Sequence, residues 1–317
     1  MTRNGPIFVV GAPRSGTTLL QRMLRSHPRI CSPTGESHFI IPLLRDESRF
    51  GDLRQRHNIR ALLQWMHGRW DEFLDTDLHG IKFDVDSMAD AIHARQVSRM
   101  PEFIDMLFRI NAEGEGKVRW LDKTPYYILH IPTLIAAYPD AQFVHIIRDG
   151  RDAVLSMLER AAEIRVFNAS AGARLWQKYV VAGRSAGGEL GPHQYHELRY
   201  EDMLADSVGT VQRLCEFLGE EYSDKVIDFQ KSTDPNSKTP LLKQGLLQSN
   251  HEKWRSAMTP RQIRMFESIA GDTLRACGYE LAGPMHPINP LDRAVDEVHQ
   301  RVMARMNPHP KDPRFKR

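Results

Sequence analysis

The chain has 317 residues, with 43 basic against 40 acidic side chains and a formal net charge of +3. Apolar residues at 41% and charged residues at 26% are ordinary globular values, which excludes a disordered or low-complexity chain. So even a balance gives no reason to expect a nucleic-acid partner, and any anion site must be local.

Cys31, Cys215 and Cys277 are the three cysteines. An odd, sparse set argues against a disulfide scaffold, fits a reducing compartment, and contains no metal-ligand spacing, so no metal is expected. The apolar run Ile7, Phe8, Val9, Val10 is too short for a signal-peptide core. No stretch approaches the roughly 20 apolar residues of a spanning helix, so no membrane span is expected and a cytoplasmic protein is the default.

Residues 7–10 read instead as a parallel strand covered on both faces. Gly11 to Gly16 form a turn, and residues 17–26 carry Leu19, Leu20, Met23 and Leu24 at helical spacing before Pro28 ends the element. Residues of about 43–116 are mostly helical in pattern and rich in Arg and His. They read as an insertion between sheet elements that either shapes the acceptor side of a cleft or only covers the sheet. Residues 118–121 form a short strand, 126–138 a helix, 142–147 a strand and 153–162 a helix. Residues 194–200 form a further strand, with a helix over 208–218. Strands alternating with helices give an α/β fold with a central parallel sheet flanked by helices. Residues 232–252 read as a long loop. Pro284, Pro287 and Pro290 set off a tail in which Leu291, Val295, Val298, Val302 and Met306 line one helix face. Two readings stay open for that face: docking on its own domain, or a homodimer contact. The expected division is a domain over residues 1–283 and a helical tail over 284–317.

The strongest local signal is Gly11-Ala-Pro-Arg-Ser-Gly-Thr-Thr18 between a strand and a helix. Such a turn presents free backbone N–H groups and the positive end of the helix dipole to a phosphate. Gly16 permits close approach, Ser15, Thr17 and Thr18 add hydroxyls, and Arg14 adds a forked cation. The Gly11–Gly16 spacing imitates a nucleotide-hydrolase P-loop, but Thr17 stands where that loop has lysine, which argues against ATP or GTP hydrolysis. The second signal runs from Val144 to Met157. Arg148 follows a strand's C-terminal end, where open α/β sheets bind ligands. Ser156 and Arg160, four residues apart, share a helix face. Either these groups converge on an anion, or Arg148 and Arg151 pair with Asp149 and Asp152 in a solvated turn.

These motifs resemble those of sulfotransferases that use 3′-phosphoadenosine 5′-phosphosulfate (PAPS). Arg14 to Thr18 look like the 5′-phosphosulfate loop, and Arg148 to Ser156 like the 3′-phosphate motif. Further blocks agree in order: His27-Pro28, Gly35-Glu36, Leu121-Asp-Lys-Thr-Pro125, Arg199-Tyr-Glu-Asp202 and Glu252-Lys-Trp254. The pattern is similar to the bacterial and Golgi-type branch, including the protein-tyrosine sulfotransferases, and covers most of residues 6–280.

The resemblance implies a P-loop-like three-layer fold and a PAPS-dependent enzyme without a metal. Arg14, Ser15, Gly16, Thr17 and Thr18 would hold the 5′-phosphosulfate. Arg148, Ser156 and Arg160 would hold the 3′-phosphate, while Tyr200 and Lys253 approach the nucleotide. Sulfuryl transfer is read as an in-line displacement that needs a base for the acceptor proton and a cation at the leaving oxygen. Glu36, on the segment returning beside the phosphosulfate turn, is the candidate base. The tyrosine-sulfating relatives carry a Gly-Glu-Glu run where this chain has Gly35-Glu36-Ser37-His38, so His38 is a rival. Lys123 resembles the lysine that neutralises the bridging oxygen, and Arg14 shares that duty. The readings set against this one are a small-molecule kinase and a non-catalytic nucleotide-binding module. The expected acceptor is a small molecule, lipid or glycan. Arg45, Arg49, Arg54, Arg56 and Arg60 are either its anion-binding surface or a solvated basic face.

Overall fold

A computed structural model describes residues 4–69, 80–229, 250–285 and 287–308. Its frame is a parallel five-stranded sheet made of β1 (Ile7–Gly11), β2 (Ile30–Cys31), β3 (Arg119–Lys123), β4 (Gln142–Ile147) and β5 (Tyr195–Arg199), in the order β2-β3-β1-β4-β5. From β1 the chain places β2 at one edge, returns to fill the gap with β3, and then crosses to add β4 and β5 on the other side of β1. The C-terminal ends of β3, β1 and β4 therefore meet at a topological switch point, where such sheets bind ligands.

Alternation along the strands explains the layers. Ile7, Val9, Leu121, Val144, Ile146 and Leu198 pack against α1 (Thr17–Arg25) on one face. The α10 (Tyr200–Ala205) and α11 (Ser207–Leu218) helices complete that layer. Phe8, Val10, Trp120, Phe143 and Ile147 pack on the other face. The second layer joins α2 (Ile40–Arg45), α3 (Arg56–His67), α4 (Val85–His93) and α5 (Met100–Gly114) to α9 (Ala169–Glu189) and α13 (Pro260–Ala276). The remaining helices are α6 (Ile131–Ala137), α7 (Gly150–Leu158), α8 (Ala161–Ile164), α12 (Trp254–Ala257) and α14 (Pro290–Met306).

Leu62, Leu63, Met66, Ile92 and Leu107 of the 43–116 segment share one core with Phe8 and Phe143, so the insertion is part of the sheet's cover. Its arginines divide. Arg54 pairs with Asp52, Arg56 with Asp90 and Arg60 with Asp86, all on the surface, while Arg49 lies over the rings of Phe50 and Trp65. A solvated basic face describes the first three.

Two helix boundaries differ from the sequence reading. Residues 126–138 are not one helix: Pro125–His130 is a 3₁₀ segment, and α6 starts afresh around Pro132, whose missing N–H cannot continue the ladder. The helix after β4 begins at Gly150 because the Asp149 carboxylate caps Arg151 N at 2.9 Å, and it ends at Leu158 rather than 162. The 232–252 loop falls largely outside the described residues.

Far from the switch point, Arg119 is fully buried at the N-terminal edge of the sheet. Its guanidinium donates to Gly5 O (2.7 Å), Leu218 O (2.8 Å), the Gln142 side chain and Glu220 (3.4 Å). Three separate segments are tied to β3 there by one side chain.

Candidate active site

Three turns leave the C-terminal edge of the sheet side by side. The turn after β1 is bent by Arg14 at φ 66 and Gly16 at φ 97. A Cβ on Gly16 would lie 2.5 Å from Tyr200 Cδ2, so only glycine lets the turn sit on that ring. The α1 helix begins at Thr17 with no side-chain cap on its N–H groups, and the Ser15 hydroxyl is buried without a hydrogen-bond partner among the described residues. Buried polar groups are normally paired, so this orphaned hydroxyl beside open amides fits an incoming oxyanion. Arg14 Nε donates to Ser156 Oγ at 2.9 Å across 142 residues. Burial, then the neighbouring charge of Arg160, presses the Arg14 pKa down, as expected where cations crowd.

The turn after β4 is held from all sides. Arg148 lies 4.7 Å over the Tyr200 ring, and its Nη atoms donate to Arg14 O (3.4 Å) and Asn250 O (3.0 Å). Its Nε is buried without a partner among the described residues, a second orphan at this sheet edge. Asn250 Nδ2 donates to the Tyr200 hydroxyl at 2.7 Å. Trp176 Nε1 donates to Arg148 O, and Asp149 N donates to Glu201 Oε1. Asp152 accepts from Trp254 N at 2.9 Å and stands 3.8 Å from Arg148. The pairs Arg151–Asp149 and Arg148–Asp152 do form, but in a buried turn rather than a solvated one.

The third turn follows β3. Ser37 N donates to Thr124 Oγ1 (3.1 Å), the Ser37 hydroxyl meets Tyr127 OH (2.9 Å), and Ile40 N donates to that same phenol oxygen (3.0 Å). These bonds lay the segment after β2 along the end of β3. Lys123 Nζ there donates to Glu36 Oε1 at 2.8 Å, and His38 Nε2 lies 3.1 Å from Glu36 Oε2. Burial alone would raise the Glu36 carboxyl, but Lys123 and then His38 outweigh it and hold its pKa far below the usual range. Lys123 pairs with Glu36 and not with its sequence neighbour Asp122, which is buried and pushed up to about 6 by desolvation.

The expected residues separate as follows. Arg14, Ser15, Gly16, Thr17, Ser156, Arg148 and Tyr200 share one network or turn, with Thr18 in the first turn of α1. Glu36, Lys123 and His38 form the adjoining cluster. Arg160 does not continue the face of Ser156. The helix has ended, and its guanidinium pairs with Glu163 at 3.2 Å while its charge still reaches Arg14. Lys253 is exposed and caps α12 through its backbone. Asn250, Glu201 and Trp176 were not singled out from sequence, and Asp152 was named there only as a partner of the neighbouring arginines, not of Trp254 N. Each acts on a backbone or ring remote in the chain, which local spacing does not reveal.

A family model described as the sulfotransferase family matches residues 6–224. The chain belongs to the sulfotransferase family. That family's chemistry, sulfuryl transfer, is what the three turns must be read against. A putative protein-tyrosine sulfotransferase of Caenorhabditis briggsae is 28% identical over 223 residues, covering 70% of this chain and 68% of that protein. Protein-tyrosine sulfotransferase 2 of Gallus gallus is 27% identical over 228 residues, covering 71% of this chain but 54% of its own length. The chain thus spans about half to two thirds of these relatives. The sulfotransferase domain from the curacin biosynthetic pathway superposes with a TM-score of 0.58 at 18% identity, over 89% of this chain and all of that one. The likeness confirms the P-loop-like three-layer fold around a parallel sheet.

Proposed function

We propose that this sulfotransferase takes its sulfuryl group from PAPS and passes it to a hydroxyl, phenol or amine of a small-molecule, lipid or glycan acceptor. The observation that carries the reading is the Lys123–Glu36 contact of 2.8 Å at the same sheet edge as the orphaned Ser15 hydroxyl. PAPS supplies the activated sulfuryl group. In this assignment the amides of the first turn, with Ser15, Thr17, Thr18 and Arg14, hold the 5′-phosphosulfate. Arg148, with Ser156, holds the 3′-phosphate, and Arg160 adds charge.

Glu36 accepts the acceptor's proton as the acceptor atom attacks sulfur and the bond from sulfur to the leaving phosphate oxygen breaks. Lys123 and Arg14 face the charge that develops on that oxygen. Lys123 links the two duties. While it is paired with Glu36 it lowers the carboxylate's basicity. Drawn to the phosphosulfate, it would release Glu36 to act as a base. His38 steadies the second carboxylate oxygen.

Glu36→Ala is expected to lose turnover by roughly 10²–10⁴-fold while adenosine 3′,5′-bisphosphate still binds. Near-normal turnover in that variant removes Glu36 as the base and makes His38→Ala the next test. Calorimetry with adenosine 3′,5′-bisphosphate against ATP separates this reading from a kinase. A labelled-PAPS screen that includes a tyrosine peptide, suggested by the names of the relatives, decides the acceptor.

A further inference from the structure

The turn that carries Arg148 is propped from a part of the chain beyond residues 6–224, the range the family model matches. Gly278 at φ 77 ends α13 in a left-handed turn, closed by Gly278 N to Arg275 O (2.9 Å) and Tyr279 N to Leu274 O (3.0 Å). That reversal buries Tyr279 under the Arg199 guanidinium, which lies 4.3 Å from the ring centre. The Tyr279 hydroxyl donates to Glu201 Oε2 at 2.8 Å, while Glu201 Oε1 accepts from Asp149 N at 2.9 Å. One carboxylate thus joins the C-terminal segment to the residue that follows Arg148. Burial pushes the Glu201 carboxyl up, and the bonds from Asp149 N and Tyr279 pull it back.

A second prop runs through the buried Arg151. Its guanidinium donates to both oxygens of Asp149 (3.0 and 2.7 Å), to Glu267 Oε1 of α13 (2.7 Å) and to Glu280 O (2.8 Å). It also lies 3.6 Å over the Trp254 ring. Glu267 Oε1 accepts in addition from Ala282 N (2.9 Å). Apolar packing can match buried ion pairs in stability, so what this network adds is a fixed geometry and sorted charge. Asp149 and Glu201 flank a turn that must receive an anion, and both are held by donors other than Arg148. The acid beside Arg148 is then Asp152, at 3.8 Å.

We propose that Glu267 and Tyr279 are positioning residues of the 3′-phosphate site. Through Arg151 and Glu201 they fix the Arg148 turn, keep two neighbouring acids off the arginine, and so set the preference for a nucleotide that carries a 3′-phosphate. The inference rests on the reading that Arg148 holds that phosphate.

Calorimetry of the full chain with adenosine 3′,5′-bisphosphate and with adenosine 5′-phosphate tests it, because a residue that only supports the fold moves both affinities alike. Glu267→Gln is expected to cut the preference for the bisphosphate about tenfold and Tyr279→Phe about fivefold, with adenosine 5′-phosphate affinity unchanged. Tyr279→Phe removes a single hydroxyl and decides the matter if Glu267→Gln does not fold. Added to Arg148→Ala, neither substitution is expected to lower the preference further. Arg148→Ala also tells two failures apart. If it leaves the preference intact, Arg148 does not hold the 3′-phosphate, and the proposal falls with that reading. If it abolishes the preference while Glu267→Gln and Tyr279→Phe keep it, or weaken both ligands by one factor, the reading stands and the proposal alone is overturned.

Discussion

The turns after β1 and β4 leave neighbouring strands of one sheet and both lead into a helix, yet they are built on opposite terms. The first turn leaves groups open: uncapped amides at the start of α1, the orphaned Ser15 hydroxyl and backbone in a conformation only glycine adopts easily. The second closes nearly everything on itself: Asp149 caps Arg151, Glu201 holds Asp149 N, Trp176 holds Arg148 O, and Asp152 holds Trp254 N. A turn that must receive a polyanion keeps donors in reserve at a cost in stability. A turn that must aim one arginine spends its donors on being rigid.

Breaking the receiving turn has the largest expected effect. Gly16→Ala puts a Cβ into the Tyr200 ring at a positive φ, so it should cost about 1–3 kcal/mol of stability and weaken bisphosphate binding on the order of 100-fold. Calorimetry and thermal melts read both. Removing the aimed group comes next. Arg148→Ala should weaken the same binding by roughly 1.5–3 kcal/mol, and unchanged affinity takes Arg148 out of the site.

The third turn sharpens the contrast through pH. Asp122 keeps its proton up to about pH 6 in the folded chain, well above its unfolded value. Its contribution to stability is therefore complete below the unfolded pKa and is lost as pH rises through 6. Asp122→Asn, which mimics the protonated acid, should match the unmodified chain near pH 4. At pH 8 it should exceed it by about 2 kcal/mol. A difference independent of pH in denaturant titrations contradicts that account. The smallest effect is the most diagnostic. Ser15→Ala loses no protein hydrogen bond, so stability should hold or rise slightly while bisphosphate affinity falls about fivefold. A fall in stability would mean the hydroxyl is structural after all.

What could be read from sequence follows from how local each signal is. Gly11, Gly16, Thr17 and Thr18 declare the receiving turn because glycine and hydroxyl residues cluster within eight positions. The strands at 7–10 and 142–147 declare themselves as continuous apolar runs. Glu36 and Lys123 lie 87 positions apart and meet through Ser37, Thr124 and Tyr127, so only the resemblance joined them beforehand. The Arg160 expectation assumed that its helix continued, and the end of that helix at Leu158, two residues before Arg160, moved it off the face of Ser156. The face of α14 shows another limit. Periodicity finds an apolar stripe but not its direction, and here Asp296, Asn168 and Arg165 turned the polar side inward.

Arg119 has a consequence for how the molecule comes apart. One guanidinium ties the N-terminal segment at Gly5, the end of α11 at Leu218 and the start of β4 at Gln142. None of these can leave alone without leaving a buried N–H of that guanidinium unpaired. That edge therefore opens only when the whole sheet does, and its amides belong with the slowest to exchange in deuterated water. The ligand-facing edge rests on bonds that can be traded one at a time. Partial unfolding should begin at the site and stop at the arginine.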